Sequence, residues 1–197
     1  MSENKPTSIE EAIAWLDDRV VKSDTKDPLE KRLNVFWDDL QKELKETERG
    51  SAGNRKFIEK PFQKSLCKLL SNDGKNIAEG QAELKLREDM PTNFKKNIDI
   101  LFKCDRKTIF LEIKTALTDN AFGGAFLESV LRREKNHEFW VVCLWHAGKG
   151  GIGRFKKLRE LSEIRENVSG VVSFDPQYNE DVDSAKEFLR HIDGMGS

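Results

Sequence analysis

Apolar residues recur along this chain at two spacings, and the order of these spacings predicts the fold class. Apolar positions three or four residues apart are typical of helices, whereas dense or alternating apolar runs are typical of strands. The predicted helices occupy residues 8–21, 28–50, 55–70, 121–135, 155–166 and 184–192. The predicted strands occupy residues 77–87, 98–104, 108–116, 138–146 and 170–174. This order predicts an α/β protein with a central mixed β-sheet flanked by helices.

The first two helices are separated from the later elements by a short polar segment. Asp27 and Pro28 supply an N-cap and a first-turn proline for the second helix. Residues 51–54 read Ser-Ala-Gly-Asn, a composition that favours a hinge. We therefore predict a helical N-terminal extension at residues 1–50 and a core at residues 51–197.

The predicted hairpin carries charged residues where strands of this composition normally carry apolar ones. Asp99, Glu112 and Lys114 lie inside runs of Ile, Leu and Phe. Glu112 and Lys114 are two positions apart, so they point to the same face of their strand. If Lys103 pairs with Thr108 across the turn, Asp99 falls opposite Glu112 on that face, with Cβ atoms about 5 Å apart.

Two carboxylates at this separation repel each other unless one is protonated or a cation lies between them. A hard divalent cation such as Mg²⁺, which takes oxygen ligands, fits between Asp99 and Glu112. Lys114 beside it could position a water or neutralise charge on a phosphate. The competing interpretation of the same residues is a salt bridge, either buried or on an exposed hairpin edge.

Asp99 followed by Glu112-Ile113-Lys114 resembles the motif of the PD-(D/E)xK nuclease superfamily, which has the restriction-endonuclease-like fold. The order of elements over residues 55–192 is similar to the core of that superfamily. The motif begins with proline, whereas this chain has Ile98 at that position. The acidic residue that follows, Asp99, is present. The resemblance implies an endonuclease that hydrolyses DNA with Mg²⁺, for which Mn²⁺ can substitute, in restriction, defence or DNA repair.

The same resemblance implies a role for each residue of the motif. Asp99, Glu112 and the main-chain carbonyl of Ile113 would bind Mg²⁺. Lys114 would orient the attacking water or help to deprotonate it. No nucleophilic side chain is required by this chemistry.

A further acid is expected from the helix that precedes the first strand, because members of this superfamily often place a glutamate there. Glu59 matches that position, and Glu83 on the strand predicted at 77–87 is the alternative. Glu59 is also explained as an ordinary first-turn acid, favoured by the helix dipole. The helix is predicted to begin at residue 55 or, with Pro61 in its first turn, near Glu59.

Composition bears on whether the protein contacts DNA, in which compartment it lies and whether it contacts a membrane. The chain has 34 basic and 35 acidic side chains and a net charge of −1, so any contact with DNA depends on local patches. Its three cysteines are widely separated and lack metal-ligand spacing, which is typical of reduced thiols in a cytoplasmic protein. We find no secretion signal and no apolar run of about 18 residues, so we expect no membrane partner.

Five basic residues are candidates for binding the nucleic-acid backbone. Most lie in or after the glycine-rich segment 148–154, where glycines permit close approach and a helix N-terminus attracts anions. A plain flexible turn explains the segment equally well. The five candidates are Lys96, Lys149, Arg154, Lys156 and Lys157.

Several alternatives remain open at the level of sequence. The chain could be a catalytically silent module that keeps the nuclease fold for nucleic-acid binding or complex assembly. RNA is not excluded as a substrate, and a homodimer would explain cleavage of both DNA strands. The extension at residues 1–50 could cover apolar surface of the core, form a dimer or contact DNA.

Overall fold

The structure of the protein is a computed structural model that describes most helices and strands and several connections. It describes residue 6 and residues 8–20, 25–47, 56–71, 77–79, 83–85, 95–97, 99–104, 107–131, 136–146 and 151–194. Only the main chain is described at residues 56, 77–79, 83–85, 95–97, 103–104, 131, 146 and 151.

Helices and strands alternate in the described residues as the hydrophobic pattern predicts, and the fold is α/β. The helices are α1 (Ile9–Arg19), α2 (Pro28–Glu46), α3 (Lys56–Ser71), α4 (Asp119–Leu131), α5 (Gly151–Arg159), α6 (Ser162–Arg165) and α7 (Asn179–Gly194). The strands are β1 (Ile77–Glu79), β2 (Glu83–Lys85), β3 (Lys95–Asn97), β4 (Ile100–Cys104), β5 (Lys107–Leu117), β6 (His137–His146) and β7 (Gly170–Ser173). None of the described helices is both long and apolar enough to cross a membrane.

Five strands form one mixed sheet in the order β1-β4-β5-β6-β7, which confirms the predicted central sheet. Neighbours among β1, β4 and β5 run antiparallel, whereas β5, β6 and β7 run parallel to one another. Parallel neighbours require crossover connections, and helices α4 and α5 lie within these two connections. β2 and β3 form a separate antiparallel ribbon.

The register of the hairpin formed by β4 and β5 is the one expected from its turn. Lys103 pairs with Thr108, and the ladder continues to the pair formed by Ile100 and Leu111. Asp99 is the next residue beyond the ladder, in a bend of the chain. The register therefore brings Asp99 to the level of the middle of β5.

Alternate residues of β5 pack against two separate layers of helices. Ile109 and Ile113 belong to a core shared with α1, α2, α3 and α7, whereas Phe110 packs with α4 and α5. The indole N–H of Trp37 in α2 donates to the carbonyl of Phe174, just after β7, at 3.0 Å. The first two helices therefore share an apolar core with the sheet.

The region before the hairpin differs from the prediction. The strand expected at 77–87 is two short strands, because β1 pairs with β4 whereas β2 pairs with β3. The residues expected to form a loop up to Lys96 include β3, so Lys96 lies in a strand of the separate ribbon. The segment is divided because its two halves pair with different strands. The alternation of apolar and polar residues within the segment could not indicate where that division falls.

Helix α3 begins at Lys56, so the alternative start near Glu59 is wrong and Pro61 lies inside the helix. The missing proline N–H would have bonded to the residue four positions earlier, which is in the first turn. Burial of Phe62 and Leu66, both fully inaccessible to solvent, offsets that loss through packing.

Helix α4 starts at Asp119, two residues earlier than predicted, and Thr118 caps it. The Ala121 N–H donates to Thr118 Oγ1 at 3.1 Å. Close packing does not require Gly123 or Gly124, because a Cβ on either glycine would meet nothing within 4 Å.

Gly170 is required by close packing in β7, and Gly170→Ala is expected to lower the free energy of unfolding. A Cβ built there would lie 2.0 Å from Cζ3 of the Trp140 ring on the neighbouring strand. Overpacking of this kind costs about 1–3 kcal/mol. Urea denaturation measures the change, with Gly124→Ala as the control. That exposed helical site should gain about 0.5–1 kcal/mol, and equal effects in the two variants would contradict the packing argument.

Candidate active site

The three charged residues of the hairpin converge on one face of the sheet, near the start of β4. Phe110 of β5 packs with α4 and α5, so Glu112 and Lys114, two and four positions later, share that face. Asp99 lies in the bend just before β4, and the hydrogen bond from the Ile113 N–H to its carboxylate holds it beside these two residues, whose charges both act on it. The convergence expected from the sequence is therefore present.

Each of the three side chains has a defined contact. Asp99 Oδ2 accepts a hydrogen bond from the Ile113 N–H at 2.7 Å. Lys114 Nζ forms an ion pair with Glu112 Oε1. The Glu112 side chain is only 5% exposed, whereas that of Lys114 is 26% exposed. The ion pair is thus buried on its acidic side and open to solvent on its basic side.

The pKa of the Asp99 carboxyl lies well above its ordinary value. Burial raises its pKa from the ordinary 3.8 to about 6, and the negative charge of Glu112 adds to the rise. The hydrogen bond from Ile113 and the charge of Lys114 act in the opposite direction without cancelling these effects. A cation placed beside this carboxyl would stabilise its ionised form and lower its pKa.

Glu59 of α3 also acts on this site. Its negative charge contributes to raising the pKa of Asp99, although it lies on a different element of the fold. Glu59 therefore acts on Asp99 through its charge, but among the described residues it forms no three-acid group with Asp99 and Glu112 that could hold a metal, and its predicted role stays a prediction. The side chain of Glu83, the alternative acid, lies outside the described residues.

Sequence reasoning missed Gln63, which contacts Asp99 from the same helix. Gln63 Nε2 donates a hydrogen bond to the main-chain carbonyl of Asp99. Gln63 lies four positions after Glu59, and residues at this spacing share a helix face. The spacing was visible in the sequence, but nothing in it indicated that this face of α3 meets the start of β4.

The main-chain N–H of Ile113 points from β5 toward Asp99. In an antiparallel pair a residue directs its N–H and its C=O to the same neighbouring strand. Because the Ile113 N–H reaches Asp99, its carbonyl also points toward the β4 side. That direction agrees with the predicted role of the Ile113 carbonyl as a ligand.

The donor set of this site suits a hard divalent cation. With the acids ionised, the three carboxylates Asp99, Glu112 and Glu59 and the single ammonium of Lys114 leave a formal charge of −2. Mg²⁺ takes oxygen ligands, keeps several waters and needs only one or two carboxylates. Among the described residues no group of three or more His, Cys, Asp and Glu side chains is placed to hold a metal, so a cation here would depend on Asp99 and Glu112, main-chain carbonyls and water.

Two of the predicted nucleic-acid-binding residues are engaged in ion pairs. Arg154 pairs with Asp119 at the start of α4. Lys156 Nζ lies 3.5 Å from Glu187 Oε2 of α7, which directs it toward the β7 edge. Both residues and the exposed Lys157 lie on α5, so the expected glycine-rich loop is already helical from Gly151.

Two other members of that set are not described at the side-chain level. Lys149 lies outside the described residues, and only the main chain of Lys96 is described. The basic surface around the candidate site is therefore defined only in part, through α5.

Comparisons with protein-family models, with curated proteins and with solved structures find no match for this chain.

Proposed function

We propose that this chain is a Mg²⁺-dependent endonuclease that hydrolyses DNA phosphodiester bonds. The observation that carries the proposal is the convergence of Asp99, Glu112 and Lys114 on one face of the hairpin. Burial and the charge of Glu112 raise the pKa of Asp99 to about 6, so the cluster favours an added cation. The motif that these residues form is similar to that of PD-(D/E)xK nucleases.

Asp99 and Glu112, with the Ile113 carbonyl, would hold Mg²⁺. When bound, the ion supplies charge stabilisation to the phosphate and to the leaving oxygen. The solvent-facing ammonium of Lys114 would donate a hydrogen bond to the attacking water or to a phosphate oxygen. Its charge also balances that of the buried Glu112 carboxylate with which it is paired.

The cellular setting follows from the chemistry of this proposal. Cys67 and Cys143 are buried thiols rather than disulfides, which suits the reducing cytoplasm, where restriction, defence and repair nucleases act on DNA. Two copies of a chain with one site each would cut both strands. RNA has the same phosphodiester linkage, so a parallel assay with RNA belongs to any test of substrate.

One observation favours a second candidate, a catalytically silent module for nucleic-acid binding or assembly. The Glu112–Lys114 ion pair is complete without a metal, and it matches the salt bridge considered as an alternative from sequence. A silent module would bind DNA and leave it uncut, with or without Mg²⁺.

Cleavage of supercoiled plasmid tests the proposal directly. We expect nicking with Mg²⁺ or Mn²⁺ and none with EDTA, and a loss of about 100-fold or more in Glu112→Gln and Lys114→Ala. Asp18→Asn, at an exposed acid on α1, is the control and should cut at the wild-type rate.

Three outcomes separate the candidates. Metal-dependent cutting that disappears only in the site variants supports the nuclease. Binding of plasmid without cutting supports the silent module. Cutting that persists in both site variants means that the activity comes from elsewhere, and the proposed site is then wrong.

A further inference from the structure

Asp99 is held at two points by two different elements. Its carboxylate accepts from the Ile113 N–H of β5 at 2.7 Å, and its main-chain carbonyl accepts from Gln63 Nε2 of α3. The first contact sets where the carboxylate points. The second contact sets where the backbone that carries it lies.

The carbonyl of Asp99 lies beyond the ends of the neighbouring ladders. The β1–β4 pairing ends at Glu79 with Ile100, and the β4–β5 pairing ends at Ile100 with Leu111. Asp99 follows in a bend, one residue past both ladders. Within the part of the chain that the structure describes, the Gln63 amide therefore supplies a hydrogen bond from a helix to a carbonyl that lies outside both ladders.

We propose that Gln63 is a positioning residue of this site. By fixing the bend through the Asp99 carbonyl, Gln63 keeps the carboxylate against Ile113 and close to Glu112. The oxygens of the two carboxylates are then held in one arrangement before a ligand binds. Hydrogen bonds that orient metal-binding side chains in this way affect the affinity of the site for the metal. The consequence for cleavage rests on the proposed function, whereas the consequence for the Asp99–Ile113 contact does not.

Amide hydrogen exchange of Ile113, followed by NMR on labelled protein without metal, tests the positioning itself. Loss of a hydrogen bond that supports this contact should speed exchange about fivefold in Gln63→Ala. Gln63→Met keeps the side-chain volume without the N–H donor, and it decides the question if the alanine variant does not fold. Gln41→Ala is the matched control, since the Gln41 amide donates to Asp17 Oδ1 at 2.7 Å on the outer helices.

Calorimetric titration with Mg²⁺ gives a second measurement that does not depend on activity. We expect both Gln63 variants to bind Mg²⁺ about 10-fold or more weakly than wild type, and Gln41→Ala to bind it equally well. Wild-type Ile113 exchange in folded Gln63 variants would overturn the inference, as would wild-type Mg²⁺ affinity. Faster Ile113 exchange in a protein that binds no Mg²⁺ and cuts no DNA would keep the positioning role and reject the proposed function.

Discussion

Asp99→Asn is expected to stabilise the protein at pH 7 by about 1–3 kcal/mol while cutting plasmid cleavage by about 100-fold or more. The raised pKa of Asp99, about 6 against an ordinary 3.8, means that the folded protein holds an ionised carboxylate at a cost. Asparagine removes that charge, and its side-chain oxygen can still accept from the Ile113 N–H. A residue that costs stability and supports activity is a common feature of active sites.

The sign of the pH dependence follows from the same shift. Between pH 3.8 and about 6 the folded protein binds more protons at Asp99 than the unfolded chain does. Its contribution to stability therefore falls as the pH rises through this window, and the full cost is present above it. Below the window both states are protonated, so wild type and Asp99→Asn should differ least there.

Urea denaturation at a series of pH values checks this expectation, with and without Mg²⁺. Without metal, the stability advantage of Asp99→Asn should grow as the pH rises through the window. Excess Mg²⁺ should stabilise wild type and leave the variant unchanged, because a ligand stabilises only the folded state that binds it. A variant that is less stable than wild type at pH 7 would show that the Asp99 charge is well solvated.

Lys114→Met is expected to lower the free energy of unfolding by about 2–3 kcal/mol, because it removes the ammonium paired with the buried Glu112 carboxylate. The estimate lies below the cost of breaking a fully buried pair, since 26% of the Lys114 side chain faces solvent. The double variant Glu112→Gln with Lys114→Met should recover most of this loss, because neither charge then remains. Cleavage should remain lost in both variants.

The surface pair formed by Lys156 and Glu187 provides the control for this cycle. Its side chains are 34% and 66% exposed, so Lys156→Met should cost at most about 0.5 kcal/mol. Thermal and urea denaturation of the set measure the coupling between the two charges. Similar losses in Lys114→Met and Lys156→Met, or a double variant no better than Lys114→Met, would show that Glu112 does not depend on Lys114.

Local pattern was sufficient for the hairpin because its determinants are close in sequence. The turn sets the pairing of Lys103 with Thr108, and alternation then sets the face of each later residue. The segment before it was harder to predict, since β1 and β2 find partners in different ladders. Strand breaks of that kind depend on pairing between distant residues, which a local pattern does not contain.

The sequence by itself determined the α/β class, the hairpin register and the gathering of Asp99, Glu112 and Lys114 on one face. Periods of two and 3.6 residues are properties of the chain alone, so these features follow from residue order. Only the tertiary structure decided that Gln63 of α3 contacts Asp99 and that the charge of Glu59 acts on it. The physical reason is that periodicity sets the direction of a side chain, whereas the distance between elements is set by how their cores pack.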